Sequence, residues 1–335
     1  MLQIKTALEK LRSTDHRWKV YVLLGVLVYF IVINQLIHIR PDHVFLALIV
    51  LALILCKNRA KRFLIDWSPF IVFWILYDMM RGVADSVRGV INIEAPYHWE
   101  LTMFGWLFNG KIPAFWFQDW QHIIQGTWYK GVIDVMCANF YTAHFAIPLL
   151  IGWIFWHTED DRRMFYRMVY TLLVLDVLAL ITFMIYPAAP PWYVMDYGFA
   201  QPDPNTSFWG ISAGSLINVD KMFGMHFFTT IWDHFNANHF AAIPSLHGAY
   251  PVTIATFVFI KFRRFVPLLV FYVVGTWFAA VYLNQHYIVD LMIGAGYGFV
   301  AYQIVHRLLI PYAFNGFLTR WEQQRDLEKA SKQVQ

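Results

Sequence analysis

Long apolar runs separated by short basic connections dominate the chain. They occupy 18–38, 43–56, 65–81, 133–156, 167–187, 246–261, 265–283 and 287–309. Each is predicted to be a membrane-crossing helix; the shorter ones need tilt or shelter within protein, because a perpendicular crossing takes ~20 residues. Lys and Arg cluster at every second connection: at the N-terminus (Lys5, Lys10, Arg12, Arg17, Lys19), in 57–62, at Arg162-Arg163 with Arg167, at Lys261-Phe262-Arg263-Arg264, and from Arg307 onward. Such residues mark the cytoplasmic side. Eight spans with both termini cytoplasmic satisfy every cluster. The expected fold class is an all-α membrane protein, a polytopic helical bundle of about eight transmembrane helices. The long connections 82–132 and 188–245 then lie outside, with the 284–286 corner and the start of the 246–261 span. Pro187, His247 and His286 all fall at outer ends of spans. The same pattern divides the chain into N-terminal helices with an outer interfacial segment (1–130), a transmembrane core (131–310) and a cytoplasmic tail (311–335).

Composition strengthens the lipid reading. The chain has 335 residues, 59% hydrophobic and 14% charged, against roughly 25% charged in soluble domains. Its 15 Trp and 18 Tyr suit two membrane interfaces. Trp99, Trp106, Trp116 and Trp120 sit in the first outer connection, as expected of a segment lying in the interface. Gln201-Pro202-Asp203-Pro204-Asn205 reads as turns in the second. The net charge of +4 is small and distributed, so no nucleic-acid partner is expected. Cys56 and Cys137 are isolated thiols that indicate no redox compartment. The N-terminus lacks the short apolar core and small-residue cleavage site of a removable signal peptide. The polar residues beyond Arg320 read as a solvated helix or a disordered end. Homo-oligomerisation is left open.

The candidate chemistry gathers at the outer lip. In Pro244-Ser245-Leu246-His247, Pro244 precedes a span where its missing N–H costs nothing. Ser245 suits a helix cap. The first-turn amides would point outward and bind a phosphate beside His247. His286 and Asp290 are four apart, on one helix face. A carboxylate there holds the imidazole by one nitrogen and leaves the other to attack. The spacing also suits two metal ligands, although a lone pair indicates none in particular. His247 facing the interface, or a structural His–Asp pair, is the plain alternative. Tyr186-Pro187-Ala188-Ala189-Pro190-Pro191-Trp192-Tyr193 ends a span in an extended segment whose Pro190, Trp192 and Tyr193 would face a lipid headgroup. Asp78 and Arg81 lie three apart near an outer end, where an arginine meets a phosphate bidentately or snorkels. Tyr141 and His144 are placed to line the same cavity. His226, His234 and His239 fit no metal-ligand spacing. No metal or cofactor is expected.

Pro-Ser-x-His followed by His-x-x-x-Asp resembles the type 2 phosphatidic acid phosphatase superfamily. Ala189-Pro190-Pro191-Trp192-Tyr193, Ile243-Pro244-Ser245-Leu246-His247 and His286-Tyr287-Ile288-Val289-Asp290 are similar to stretches of its inositol phosphorylceramide synthase and sphingomyelin synthase branch. The likeness spans roughly 140–300. The chain departs from the phosphatases in two places. It has no Lys-x6-Arg-Pro motif, and Ala279 and Ala280 stand where they carry Ser-Arg. The synthase branch also lacks that arginine, which favours a transferase and leaves Arg81, then Arg88, as the candidate phosphate cation. The resemblance implies a six-helix catalytic core. It implies that His286 attacks the phosphorus of a phospholipid donor, that Asp290 orients it, and that His247 protonates the departing diacylglycerol and then activates a lipid alcohol acceptor. Water as acceptor would make the same residues a lipid phosphate or pyrophosphate phosphatase. A membrane protein without chemistry, such as a lipid transporter or complex subunit, is the remaining alternative.

Overall fold

A computed structural model of the protein describes residues 24–25, 27–28, 63, 65–72, 89–157, 162–203, 208, 211–236, 238–314 and the isolated positions 316, 319 and 323. The chain divides into two compact units, Met1–Met79 and Met80–Gln335. In the first, a helical stretch carries Trp67 stacked between Phe63 and Phe70, with ring centroids 5.4 and 5.2 Å away. Most of the runs at 18–38, 43–56 and 65–81, together with Asp78, Arg81 and Arg88, lies outside the described residues.

The second unit is all helix apart from isolated bridges, among the described residues. In order come α1 (Glu94–Phe104), α2 (Pro113–Ile123), α3 (Trp128–His157), α4 (Arg162–Ile185), α5 (Pro191–Tyr197), a 3₁₀ turn (Ile211–Leu216), α6 (Ile217–Phe223), α7 (Phe227–Phe235), α8 (Leu246–Lys261), α9 (Val266–Tyr282) and α10 (Ile288–Ile304). A π-helical turn (Val305–Phe314) continues α10. The five apolar runs from 133 onward coincide with α3, α4, α8, α9 and α10 within a few residues, apart from the π-helical continuation of α10. Three described helices, Arg163–Ile185, Arg263–Tyr282 and Ile288–Tyr312, are long and apolar enough to cross a membrane. The bent pair Trp128–His144 and Ala146–His157 is long and apolar enough for a fourth if the two halves form one span. The bend is 51°. Its cause is Pro148, which has no N–H for the His144 carbonyl and whose ring crowds it. Phe271, Val274 and Phe299 leave more than half their surface uncovered, which suits apolar side chains facing lipid. The chain is an integral membrane protein.

Glycine sets how closely α8 and α10 approach. A Cβ on Gly248 would lie 2.3 Å from the Leu291 carbonyl oxygen, and one on Gly294 would lie 2.0 Å from that of Ser245. Gly298 meets Thr253 in the same way, at 2.6 Å. Small residues four apart bring helix backbones together where lipid gives no hydrophobic drive. Polar contacts join the other helices. Tyr250 donates to Asp176 at 2.6 Å, Tyr282 donates to Asp134 at 2.5 Å, and the Thr182 and Tyr297 hydroxyls meet at 2.8 Å.

At one end of the bundle the backbone knits four segments together. Ala188 bridges Asn92 on one side and Ala241 on the other. The Trp192 amide donates to the Asn284 carbonyl at 2.9 Å. The end of α4, the start of α5, the approach to α8 and the α9–α10 corner are thereby held in register, with α1, α2, α5, α6 and α7 arranged around them.

Candidate active site

Ser245 caps α8: its hydroxyl accepts from the Gly248 amide at 3.2 Å. The cap fixes the first turn of α8 and with it His247. Across from it, the last turn of α9 closes through the Gln285 and His286 amides, which donate to the Ala280 carbonyl at 3.0 and 3.1 Å. This turn presents His286 immediately before α10. Asp290, in the first turn of α10, accepts from the Tyr287 amide at 3.0 Å in a capping box. The Ser245 amide donates to the Asp290 carbonyl at 3.2 Å, so the two helix starts are tied directly.

The side chains converge. His247 Nδ1 lies 3.1 Å from His286 Nε2. The other His286 nitrogen, Nδ1, is 3.6 Å from Asp290 Oδ2, within ion-pair reach but longer than a hydrogen bond. The expected order of acid, imidazole and imidazole is present, but the outer nitrogen of His286 faces His247 rather than open space. Both histidines and Asp290 are buried. His286 stands in the corner between α9 and α10, where burial pulls its pKa down to about 3 against a smaller opposing effect of the Ala242 backbone. It is therefore a neutral imidazole with a lone pair, the form a nucleophile needs.

Tyr141 and His144 line the same place. Tyr141 stacks flat on His247, centroids 3.9 Å apart and planes within 6°, and His144 lies 3.7 Å from it. His144 ends the first half of the bent α3, and its Nδ1 contacts the Tyr141 carbonyl at 2.7 Å. The 189–193 stretch takes different positions. Pro190 caps α5, and Tyr193 packs on Phe240 with its hydroxyl on the Ala200 carbonyl at 2.8 Å. Trp192 lines a cavity that also reaches Asn284. These three residues pack around the α9–α10 corner, with the Trp192 ring against His239. Asp119 pairs with Lys111, and His239 packs against Phe208. Among the described residues no group of three or more His, Cys, Asp and Glu is arranged to hold a metal ion.

Several contributors escaped the sequence reading. Glu100 on α1 is fully buried, and its two oxygens accept from the Ile288 and Val289 amides at 2.9 and 3.0 Å. It therefore caps the helix that carries Asp290. Burial raises its pKa from 4.5 to about 7. Nothing in Trp99-Glu100-Leu101 signals this contact, which spans 188 residues. Gln285 donates to the Ser212 carbonyl at 2.9 Å and joins the outer layer to the corner. Gly294 and Gly298 carried a readable signal in their small-x-x-x-small spacing, and Asp176 within an apolar run signalled a partner.

Two imidazoles and a carboxylate are gathered at the ends of apolar helices of an integral membrane protein. The sequence profile of the PAP2 superfamily matches residues 110–304, a stretch that includes every one of these side chains. The chain belongs to the PAP2 superfamily and is a membrane phosphotransferase. It is 30% identical over 290 residues to the phosphoinositol dihydroceramide synthase of Bacteroides thetaiotaomicron, covering 86% of this chain and 91% of that protein. The inositol phosphorylceramide synthase of Candida albicans is 26% identical over 330 residues, of which the match covers 64% of its length. The catalytic subunit of the Saccharomyces cerevisiae inositol phosphorylceramide synthase is 34% identical over 137 residues, 41% of this chain and 33% of that one. No solved structure matches the chain.

Proposed function

We propose that this enzyme moves a phosphoinositol headgroup from a phospholipid to a ceramide-like lipid alcohol through a phosphohistidine on His286. The observation that carries the reading is the 3.1 Å approach of His247 Nδ1 to His286 Nε2, with Asp290 behind the second ring. The likeness to a phosphoinositol dihydroceramide synthase across 86% of the chain supports the donor and acceptor.

The chemistry runs in two displacements. His286 Nε2 attacks phosphorus and forms the P–N bond while the bond to the diacylglycerol oxygen breaks, and His247, held as the imidazolium by the anionic phosphate beside it, gives that oxygen its proton. Asp290 stabilises the positive ring that results. The acceptor hydroxyl then loses its proton to His247 and attacks phosphorus, and the P–N bond returns its electrons to His286. In-line displacement sets attacking and leaving atoms on opposite sides of phosphorus, so the two rings part as the phosphate enters between them. The N-terminal end of α8, whose dipole favours an anion, stands beside the phosphate, in a site where Ala279 and Ala280 supply no cation. The alternation of basic connections supports an extracytoplasmic site with both termini cytoplasmic.

The test uses purified protein in vesicles with inositol-labelled phosphatidylinositol and a short-chain ceramide. Wild-type protein should yield labelled inositol phosphorylceramide, and His286→Ala should yield none while eluting as the same folded species. Transfer that survives His286→Ala refutes the mechanism. Phosphate release from phosphatidic acid, with no transfer to ceramide, would replace the transferase with a phosphatase.

A further inference from the structure

Outside the histidine cluster, a cavity of about 290 Å³ opens between α2, α5, the 3₁₀ turn and the α9–α10 corner. Its wall includes the carboxamides Gln118, Gln121, Asn218 and Asn284, with Ser215 beside them and Trp192 as an aromatic face. Asn284 is 4% exposed, and its Nδ2 reaches Gln118 Oε1 and Ser215 Oγ, each at 3.3 Å. Its Oδ1 is buried and has no partner among the described residues. Asn284 thus stands in the cavity wall with its amide held by two neighbours.

The chemistry of the wall narrows the class. Carboxamides and hydroxyls both donate and accept, and His122, Lys130 and Asp196 on the same wall add further donors and acceptors, which together match a ring of hydroxyls. A choline would want an aromatic cage, but this cavity offers one indole. The volume lies at the lower end of small-molecule sites, ~300–1,000 Å³, which suits one ring and excludes paired acyl chains. Position narrows it further. Asn284 is two residues before His286, a separation of at most ~7 Å along the chain. Gly214, another wall residue, has φ +52°, and a Cβ there would sit 2.5 Å from the Leu283 carbonyl oxygen. The wall is thus pressed against the turn that presents the nucleophile. A headgroup ring is one ester oxygen from its phosphorus.

We propose that this cavity receives the polyol ring of the donor headgroup, with the wall carboxamides of Asn284, Asn218 and Gln118 bonding its hydroxyls. The proposal rests on the transferase reading for its donor and adds where that donor's ring is selected.

Calorimetric binding to the detergent-purified full chain tests it, with three probes: glycerophosphoinositol, glycerol 3-phosphate (phosphate without ring) and myo-inositol (ring without phosphate). Wild-type protein should bind glycerophosphoinositol at least about ten-fold more tightly than either fragment, as two or three net hydrogen bonds provide. Asn284→Gly keeps the left-handed turn at φ +62° and removes the amide, and Asn218→Leu alters a half-buried wall position. Each should reduce the preference over glycerol 3-phosphate to about two-fold or less. Should Asn284→Gly fail to fold, Asn218→Leu decides. A preference that survives in the folded variants, or is absent from wild type, overturns the proposal. Myo-inositol binding as tightly as glycerophosphoinositol also overturns it, in favour of a free polyol site. Wild type that shows the preference yet transfers nothing to ceramide refutes the transferase reading and leaves the cavity assignment standing.

Discussion

Replacing Gly294 by alanine tests whether the α8–α10 contact sets the catalytic distance. The added Cβ would lie 2.0 Å from the Ser245 carbonyl oxygen, whereas ordinary contact begins at 3.4 Å. Both partners are backbone-bound, so no side chain can rotate away. The helices must separate locally by about 1.4 Å, the difference between those two distances. Ser245 caps α8 two residues before His247, and Gly294 is one turn beyond Asp290, so the separation pulls the two halves of the site apart. A misplacement of ~1 Å costs on the order of 10²-fold in rate, and overpacking costs about 1–3 kcal/mol in stability. The assay is initial-rate transfer from phosphatidylinositol to ceramide in vesicles, with thermal unfolding of the same preparations. Gly296→Ala is the control, because a Cβ there meets nothing within 4 Å. Gly294→Ala should lose about 10²-fold in rate while Gly296→Ala keeps it. Wild-type rates for Gly294→Ala, or equal losses in both, refute the reasoning.

Two further outcomes follow from the outer layer. Burial raises the Glu100 pKa from 4.5 to about 7, so its contribution to stability is complete below pH 4.5 and is lost as pH rises through 7. That shift amounts to about 3 kcal/mol. In unfolding scans from pH 4.5 to 8, Glu100→Gln should remove this decline; parallel pH profiles for variant and wild type would show that Glu100 does not titrate as described. Ile123, at the end of α2, is 80% exposed. With Cys56 and Cys137 replaced, Ile123→Cys should react with an impermeant thiol reagent from outside intact cells, and labelling only after permeabilisation would reverse the proposed orientation.

The corner at 284–286 shows where local reading works and where it stops. The apolar runs predicted α8 at its exact bounds, and Ser245 proved to be a helix cap, because both follow from residues adjacent in the chain. His286 and Asp290 do come within 3.6 Å of each other, but not on one helix face as expected: α10 starts at Ile288, and His286 stands in the turn ahead of it. Tyr193 shows the opposite case: the sequence offers an aromatic at a lipid-facing lip, and the fold uses it in packing against Phe240.

Sequence alone determined the lipid solvent, the helical class and the position of three motifs at helix ends, since these depend on run length and local capping. Only the tertiary structure decided that His247 meets His286, that Glu100 caps α10 across 188 residues, and that Asn284 lines a polar cavity beside them. Contacts of that kind depend on how closely helices pack, and here glycine backbones, invisible to hydropathy, set that distance.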